Sequence, residues 1–178
     1  AAAGAVRACF SSAGQLCISI ERLYVHESVA DAFLERFAAR TRAMRLGTSL
    51  AYGADMGSLV GERQLETVVR HVEDALAHGA KLVAGGVARP DIGPYFYEPT
   101  ILDGVAAPMT VCTEETFGPV VSVYRFTTED EAVEHANSTP YGLNSSVWTK
   151  DGRRGRAIAA RLRTGTVNVN DGYAPAYG

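Results

Sequence analysis

Val120-Val-Ser-Val-Tyr-Arg-Phe126 is followed at once by Thr127-Thr-Glu-Asp-Glu131. The first run is rich in β-branched and aromatic residues and reads as a strand. In the second, Thr128 with Glu131 three residues later predicts a capped helix that ends near Ser138. Ser145–Thr149 then reads as another strand. Asp151 opens a helix with Ala157, Ile158 and Leu162 inward, and Thr166–Asn170 is a last strand. Strands separated by helices of this length need crossover connections, which predicts parallel pairing.

The same alternation extends upstream. A helix is expected from Ala1 to about Ser12, with Val6, Cys9, Phe10 and Ala13 on one apolar face and Gly14 breaking the pattern. Leu23-Tyr24-Val25 has strand propensity. Ser28 with Asp31 resembles a capping box, and Val29, Phe33, Phe37 and Met44 continue a helical stripe that ends at Gly47. A third helix is predicted from Glu62 to His78, burying Leu65, Val68, Val69, Val72 and Leu76, with Gly79 as its stop. Lys81–Ala84 reads as a short strand closed by Gly85-Gly86. Tyr97–Leu102 looks extended, but Pro99 predicts an edge or irregular strand. The expected fold class is α/β, a mostly parallel sheet flanked by helices. With no internal repeat and no dividing linker, residues 1–178 read as one domain.

Composition removes several function classes. Of 178 residues, 47% are hydrophobic and 21% charged, an ordinary globular mixture. Lys and Arg number 17 against 20 Asp and Glu, a net charge of −3, which offers no field for a nucleic-acid backbone. The uncharged stretch Ala8–Ile20 falls well short of the ~20 apolar residues of a spanning helix. Ala136–Thr149 is also uncharged but contains Pro140 and Gly142. No basic segment precedes an apolar core at the start, so no signal peptide is expected. The three cysteines, Cys9, Cys17 and Cys112, are odd in number and fit a reducing, cytoplasmic setting. The chain starts without Met inside a predicted helix, which suggests an excised domain.

No dinucleotide-binding glycine fingerprint, Walker-type loop, Gly-x-Ser-x-Gly elbow, His-Glu-x-x-His or Cys-x-x-Cys occurs. His26, His71, His78 and His135 are scattered. The seven-residue spacing of His71 and His78 suits a solvated helix surface better than a metal, and no metal site is expected.

Two segments carry chemistry. In Phe10-Ser-Ser-Ala-Gly-Gln-Leu-Cys17 a cysteine follows a helix end in non-repetitive backbone. A thiol there can open to a cleft while free backbone N–H groups face an oxyanion. A small buried hydrophobe is the alternative reading of Cys17, and the natural one for Cys9 and Cys112. In Glu114-Glu-Thr-Phe-Gly-Pro-Val120, two acids precede an aromatic and a rigid Gly-Pro bend. A carboxylate there can accept from a ribose diol, with the ring as a flat apolar wall. A solvated loop anchored by one aromatic is the alternative.

Together the segments resemble the aldehyde dehydrogenase superfamily. Its cysteine motif, Phe-x-Asn-x-Gly-Gln-x-Cys, is matched by Phe10, Gly14, Gln15 and Cys17; its Glu-x-Phe-Gly-Pro motif is matched by Glu115, Phe117, Gly118 and Pro119. Arg22, Gly85-Gly86, Tyr141-Gly142-Leu143, Gly165-Thr166-Val167 and Asn170 agree as well, in order over essentially the whole chain. Gly142–Trp148 and Val167–Asp171 are most similar to succinate-semialdehyde dehydrogenases of an actinobacterial type.

The resemblance implies the catalytic domain of an NAD- or NADP-dependent enzyme, without the N-terminal Rossmann-like cofactor domain and the oligomerisation segment. It implies Cys17 as nucleophile toward a small-molecule aldehyde, Glu115 holding the nicotinamide ribose, and Phe117 packing near the nicotinamide. Gln64 matches a looser position at the adenosine end. A homo-oligomer is implied for the intact protein, and no NAD-linked activity for these residues alone. The family's motif Asn is Ser12 here, and the substrate-gripping Arg of some succinate-semialdehyde enzymes is Ser11. A cysteine–histidine hydrolase and a catalytically silent structural fragment or homologue are the competing classes.

Overall fold

The computed structural model describes residues 1–49 and 52–172. Its main sheet has four strands: β1 (Arg22–His26), β2 (Lys81–Ala84), β3 (Thr100–Asp103) and β4 (Val120–Phe126). The spatial order is β1-β4-β3-β2, with β1, β4 and β3 parallel and β2 antiparallel at the edge. A separate parallel pair joins β5 (Asn144–Val147) to β6 (Thr166–Val169). The helices are α1 (Ala2–Phe10), α2 (Glu27–Arg42), α3 (Glu62–Ala77), α4 (Glu129–Asn137) and α5 (Gly152–Ala159). The fold is α/β with mostly parallel pairing, as the alternation predicts.

The core lies where α1, α2 and α3 meet the sheet. Phe10 and Phe37 stack with centroids 5.9 Å apart, and Phe33 stacks on Phe37 at 5.4 Å. Ile101, Leu102, Val121 and Val123 fill the sheet interior, and Val68, Val72 and Ala75 form the buried stripe of α3. The small sheet is tied to this body by Trp148. Its indole lies so close to Gly4 of α1 that a Cβ there would meet Cζ2 at 2.5 Å and Cζ3 at 3.0 Å.

Several local expectations differ from what is found. The helix capped by Thr128 is as predicted, with its hydroxyl accepting from Glu131 N–H. For α2 the cap is instead His26, whose Nδ1 accepts from Ser28 N–H at 3.2 Å. That helix stops at Arg42, so Met44 lies beyond it, and Val29 is exposed because the buried stripe runs through Ala30, Leu34 and Phe37. In α3, Leu65 and Val69 are only partly buried and Leu76 is exposed; His71 occupies the buried stripe instead. Helix α5 buries Gly155, leaves Ile158 half-buried and exposes Ala157, and it stops at Ala159, so the half-buried Leu162 lies beyond it. β3 is an interior strand. Pro99 precedes its first residue, so the missing N–H removes no bond from the ladder.

Candidate functional site

The chain leaves α1 at Phe10 and makes a left-handed turn rather than continuing helically to Ser12. Ser12, Ala13 and Gly14 have φ of 52°, 56° and 70°. Two non-glycine residues in this region carry strain of roughly 1–3 kcal/mol each, which persists only under outside constraint. Gln15 supplies part of it. Its Oε1 accepts from Val60 N–H at 2.8 Å, and its Nε2 donates to Ser12 O at 3.2 Å and Ser58 O at 3.3 Å. Asn144 of the small sheet supplies more, donating to Ile18 O at 2.9 Å.

Cys17 lies in this braced loop and is exposed, with its thiol free. Among the described residues, the N–H groups of Leu16, Cys17 and Ile18 donate to no acceptor. An exposed thiol with unclaimed backbone donors in the same loop is chemically able to attack a carbonyl. The other cysteines differ. Cys9 is buried on α1, and burial pushes its thiol far up. Cys112 is half-buried, 3.6 Å from the Tyr124 hydroxyl.

The second segment, 114–119, crosses directly over the first. Gly14 and Gly118 are in backbone contact: a Cβ at Gly14 would fall inside Gly118 O and lie 3.1 Å from Pro119 N. Phe117 itself takes the left-handed region, with φ of 50°. Side chains from other parts of the fold take up its backbone polar groups. Glu21 Oε2 accepts from Thr116 N–H at 2.9 Å and Glu21 Oε1 from Phe117 N–H at 2.8 Å. Gln64 Nε2 donates to Thr116 O at 2.7 Å and Phe117 O at 3.0 Å, so this amide is engaged within the protein. The Tyr141 hydroxyl accepts from Glu115 N–H at 3.2 Å.

With its backbone held in this way, the bend leaves Glu115 exposed and Phe117 partly so. The Glu115 carboxylate accepts no hydrogen bond among the described residues. A solvent-facing acceptor with an adjoining ring suits a diol-bearing ligand with a flat heterocycle.

Sequence reasoning missed two residues here. Glu21 was legible only as the acid that ends the uncharged run 8–20 just before a strand. Its partly buried carboxyl is pushed up to about 7 by burial, opposed by the two amide bonds and assisted by the charge of Glu115. His71 is buried at 1% exposure rather than on a solvated surface. Its Nδ1 lies 3.1 Å from Thr116 Oγ1 and its Nε2 3.5 Å from Glu114. Burial and the charge of Arg70 lower its pKa, against the raising effect of Glu114. No histidine among the described residues bonds the sulfur of Cys17. No group of three or more potential metal ligands occurs among them, and no helix is long and apolar enough to cross a membrane.

Residues 1–177 match the profile of the Aldehyde dehydrogenase family. A Mycobacterium tuberculosis protein with the provisional name succinate-semialdehyde dehydrogenase [NADP(+)] 2 is 59% identical over 177 residues, 99% of this chain and 34% of its own length. The crystal structure of succinate-semialdehyde dehydrogenase from Burkholderia pseudomallei superposes with a TM-score of 0.92 at 39% identity, covering 97% of this chain and 36% of that one. Betaine aldehyde dehydrogenase from Staphylococcus aureus in complex with NAD+ superposes with a TM-score of 0.93 at 32% identity, covering 99% and 35%. The chain therefore spans about a third of the length of the relatives it matches. By the match of its whole sequence and of its fold, it belongs to the aldehyde dehydrogenase family.

Proposed function

We propose that these residues form the catalytic domain of an NAD(P)-dependent aldehyde dehydrogenase, with Cys17 as the nucleophile and Glu115 and Phe117 as its cofactor-facing pair. The observation that carries this reading is the crossing of the two segments. Gly14 touches Gly118, and Glu21 bonds Thr116 and Phe117, so the segment that carries the exposed Cys17 is anchored to the bend on both sides of it in sequence.

In this reading the Cys17 thiolate attacks the aldehyde carbon, and the carbonyl π electrons move to oxygen. The unclaimed N–H of Cys17 would stabilise that oxyanion. A bound nicotinamide supplies the hydride acceptor. Glu115 would accept hydrogen bonds from its ribose, and the Phe117 ring would offer an apolar wall to the nicotinamide. Collapse of the oxyanion would break the C–H bond and expel hydride to that acceptor, leaving a Cys17 thioester that water hydrolyses to the carboxylate and the thiol.

Succinate semialdehyde is the substrate we favour, because relatives at 59% and 39% identity carry that name. The cofactor is NAD or NADP: one relative's name specifies NADP+, and the betaine aldehyde dehydrogenase structure contains NAD+. An enzyme of the relatives' full length is expected to add further cofactor contacts and to form a homo-oligomer.

The test is NAD(P)H formation from succinate semialdehyde by an enzyme of the relatives' full length carrying these residues. Cys17→Ala is expected to lower turnover by on the order of a thousandfold or more, with cofactor binding largely retained. Unchanged turnover would overturn the proposal. The 178-residue chain alone is expected to form no NAD(P)H.

A further inference from the structure

The Glu115–Phe117 backbone lies in no helix or strand, yet five of its polar groups are bonded by side chains from distant segments. Successive N–H groups in such a turn form a concavity suited to an anion. Here the chain's own Glu21 fills it, one oxygen on each N–H. Glu21 is fixed from behind as well, because Ser122 N–H donates to its carbonyl at 2.8 Å where β1 meets β4. It also stands four residues after Cys17. One side chain therefore ties the thiol-bearing loop to the bend.

We infer that Glu21 is a positioning residue: its two carboxyl oxygens hold the Thr116 and Phe117 amides so that Glu115 and Phe117 face the cofactor. The inference rests on the cofactor-facing role proposed above for that pair. Two consecutive donors need two acceptor oxygens on one rigid group. Glutamine offers one, and turns its amide NH2 toward the other N–H. Gln64 bonds the carbonyl side of the same peptides, so loss of Glu21 frees one side of the bend while the other stays held.

The clasp is tested on the 178-residue chain by amide hydrogen exchange. Glu21→Ala is expected to speed exchange at Thr116 and Phe117 on the order of tenfold, and Glu21→Gln by less, with Val121 and Val123 in β4 unchanged. In an enzyme of the relatives' full length, Glu21→Ala is expected to raise KM for the nicotinamide cofactor on the order of tenfold. The rise in cofactor KM is expected to exceed any change in aldehyde KM, and Glu21→Gln partly restores cofactor KM.

Unchanged exchange at both amides overturns the clasp. Faster exchange with unchanged cofactor KM overturns the positioning role, and so does global unfolding of both variants. Cys17→Ala separates the two levels. If it abolishes turnover while Glu21→Ala leaves cofactor KM alone, only this inference fails. If it retains turnover, the functional reading fails while the exchange experiment still decides the clasp.

Discussion

Gly14 and Gly118 meet backbone to backbone, and no side chain can be inserted between them. The contact joins the turn before Cys17 to the bend after Glu115, two segments about a hundred residues apart in the chain. It also sets a steric limit at a position whose φ of 70° already disfavours any residue with a Cβ.

Gly14→Ala should therefore destabilise the fold by more than about 2 kcal/mol, from left-handed strain together with the clash at Gly118 O. Urea unfolding measures the loss. A change below a few tenths of a kcal/mol would mean that the two segments part easily.

Thiol labelling should be ordered by exposure. Iodoacetamide is expected to modify Cys17 first and Cys112 more slowly. Cys9, buried and with its thiol pushed up, should be protected by on the order of a hundredfold or more until the chain unfolds. Mass spectrometry of timed digests reads the order, and Cys9 labelling as fast as Cys17 would contradict the packing of α1.

The pH dependence of stability should carry the signature of Glu21. Its folded-state carboxyl titrates near 7, above its unfolded value near 4.3. The folded state thus holds the extra proton between these values. The resulting stabilisation is complete below about pH 4 and is lost as pH rises through 7. Of the ionisable groups around it, Glu115 adds to the upward shift, and Cys9 stays a neutral thiol in this range. Up to about 4 kcal/mol rides on this proton. Glu21→Gln removes the titration, so the difference in stability between variant and wild type should change between pH 5 and 8; a constant difference would refute it.

Trp148 is the single tryptophan, which makes its contact with Gly4 observable. Gly4→Val should displace the indole, shift its emission to the red and cost roughly 1–3 kcal/mol through overpacking. An unshifted spectrum would show that the small sheet does not depend on α1 for its seat.

Removing the carbonyl-side grip is the complement of the Glu21 experiment. Gln64→Ala deletes both donors to Thr116 O and Phe117 O and should cost about 1–2 kcal/mol, with faster exchange confined to the bend. Exchange that accelerates throughout β4 instead would indicate a global role for Gln64.

The alternation of elements could be read along the chain because its determinants are local. Thr128 and Glu131 cap α4 within one turn, and the β-branched run of β4 needs no distant partner to be recognised. Both chemical segments were legible for the same reason: cysteine, acid, aromatic and Gly-Pro stand in fixed, short spacings. Burial was less so. His71 and Val29 each sat on the unexpected side of a helix, because the facing layer, and not periodicity alone, selects the buried stripe.

What the sequence determined by itself is thus the α/β order and the two segments that carry the family's motifs, both set by patterns within a few residues. Only the tertiary structure decided that the segments cross at Gly14 and Gly118, that β3 is interior despite Pro99, and that Glu21 and Gln64 grip the bend from opposite sides. Those contacts join residues far apart in the chain. They form only where the packed sheet and helices bring them together, and no local pattern encodes that meeting.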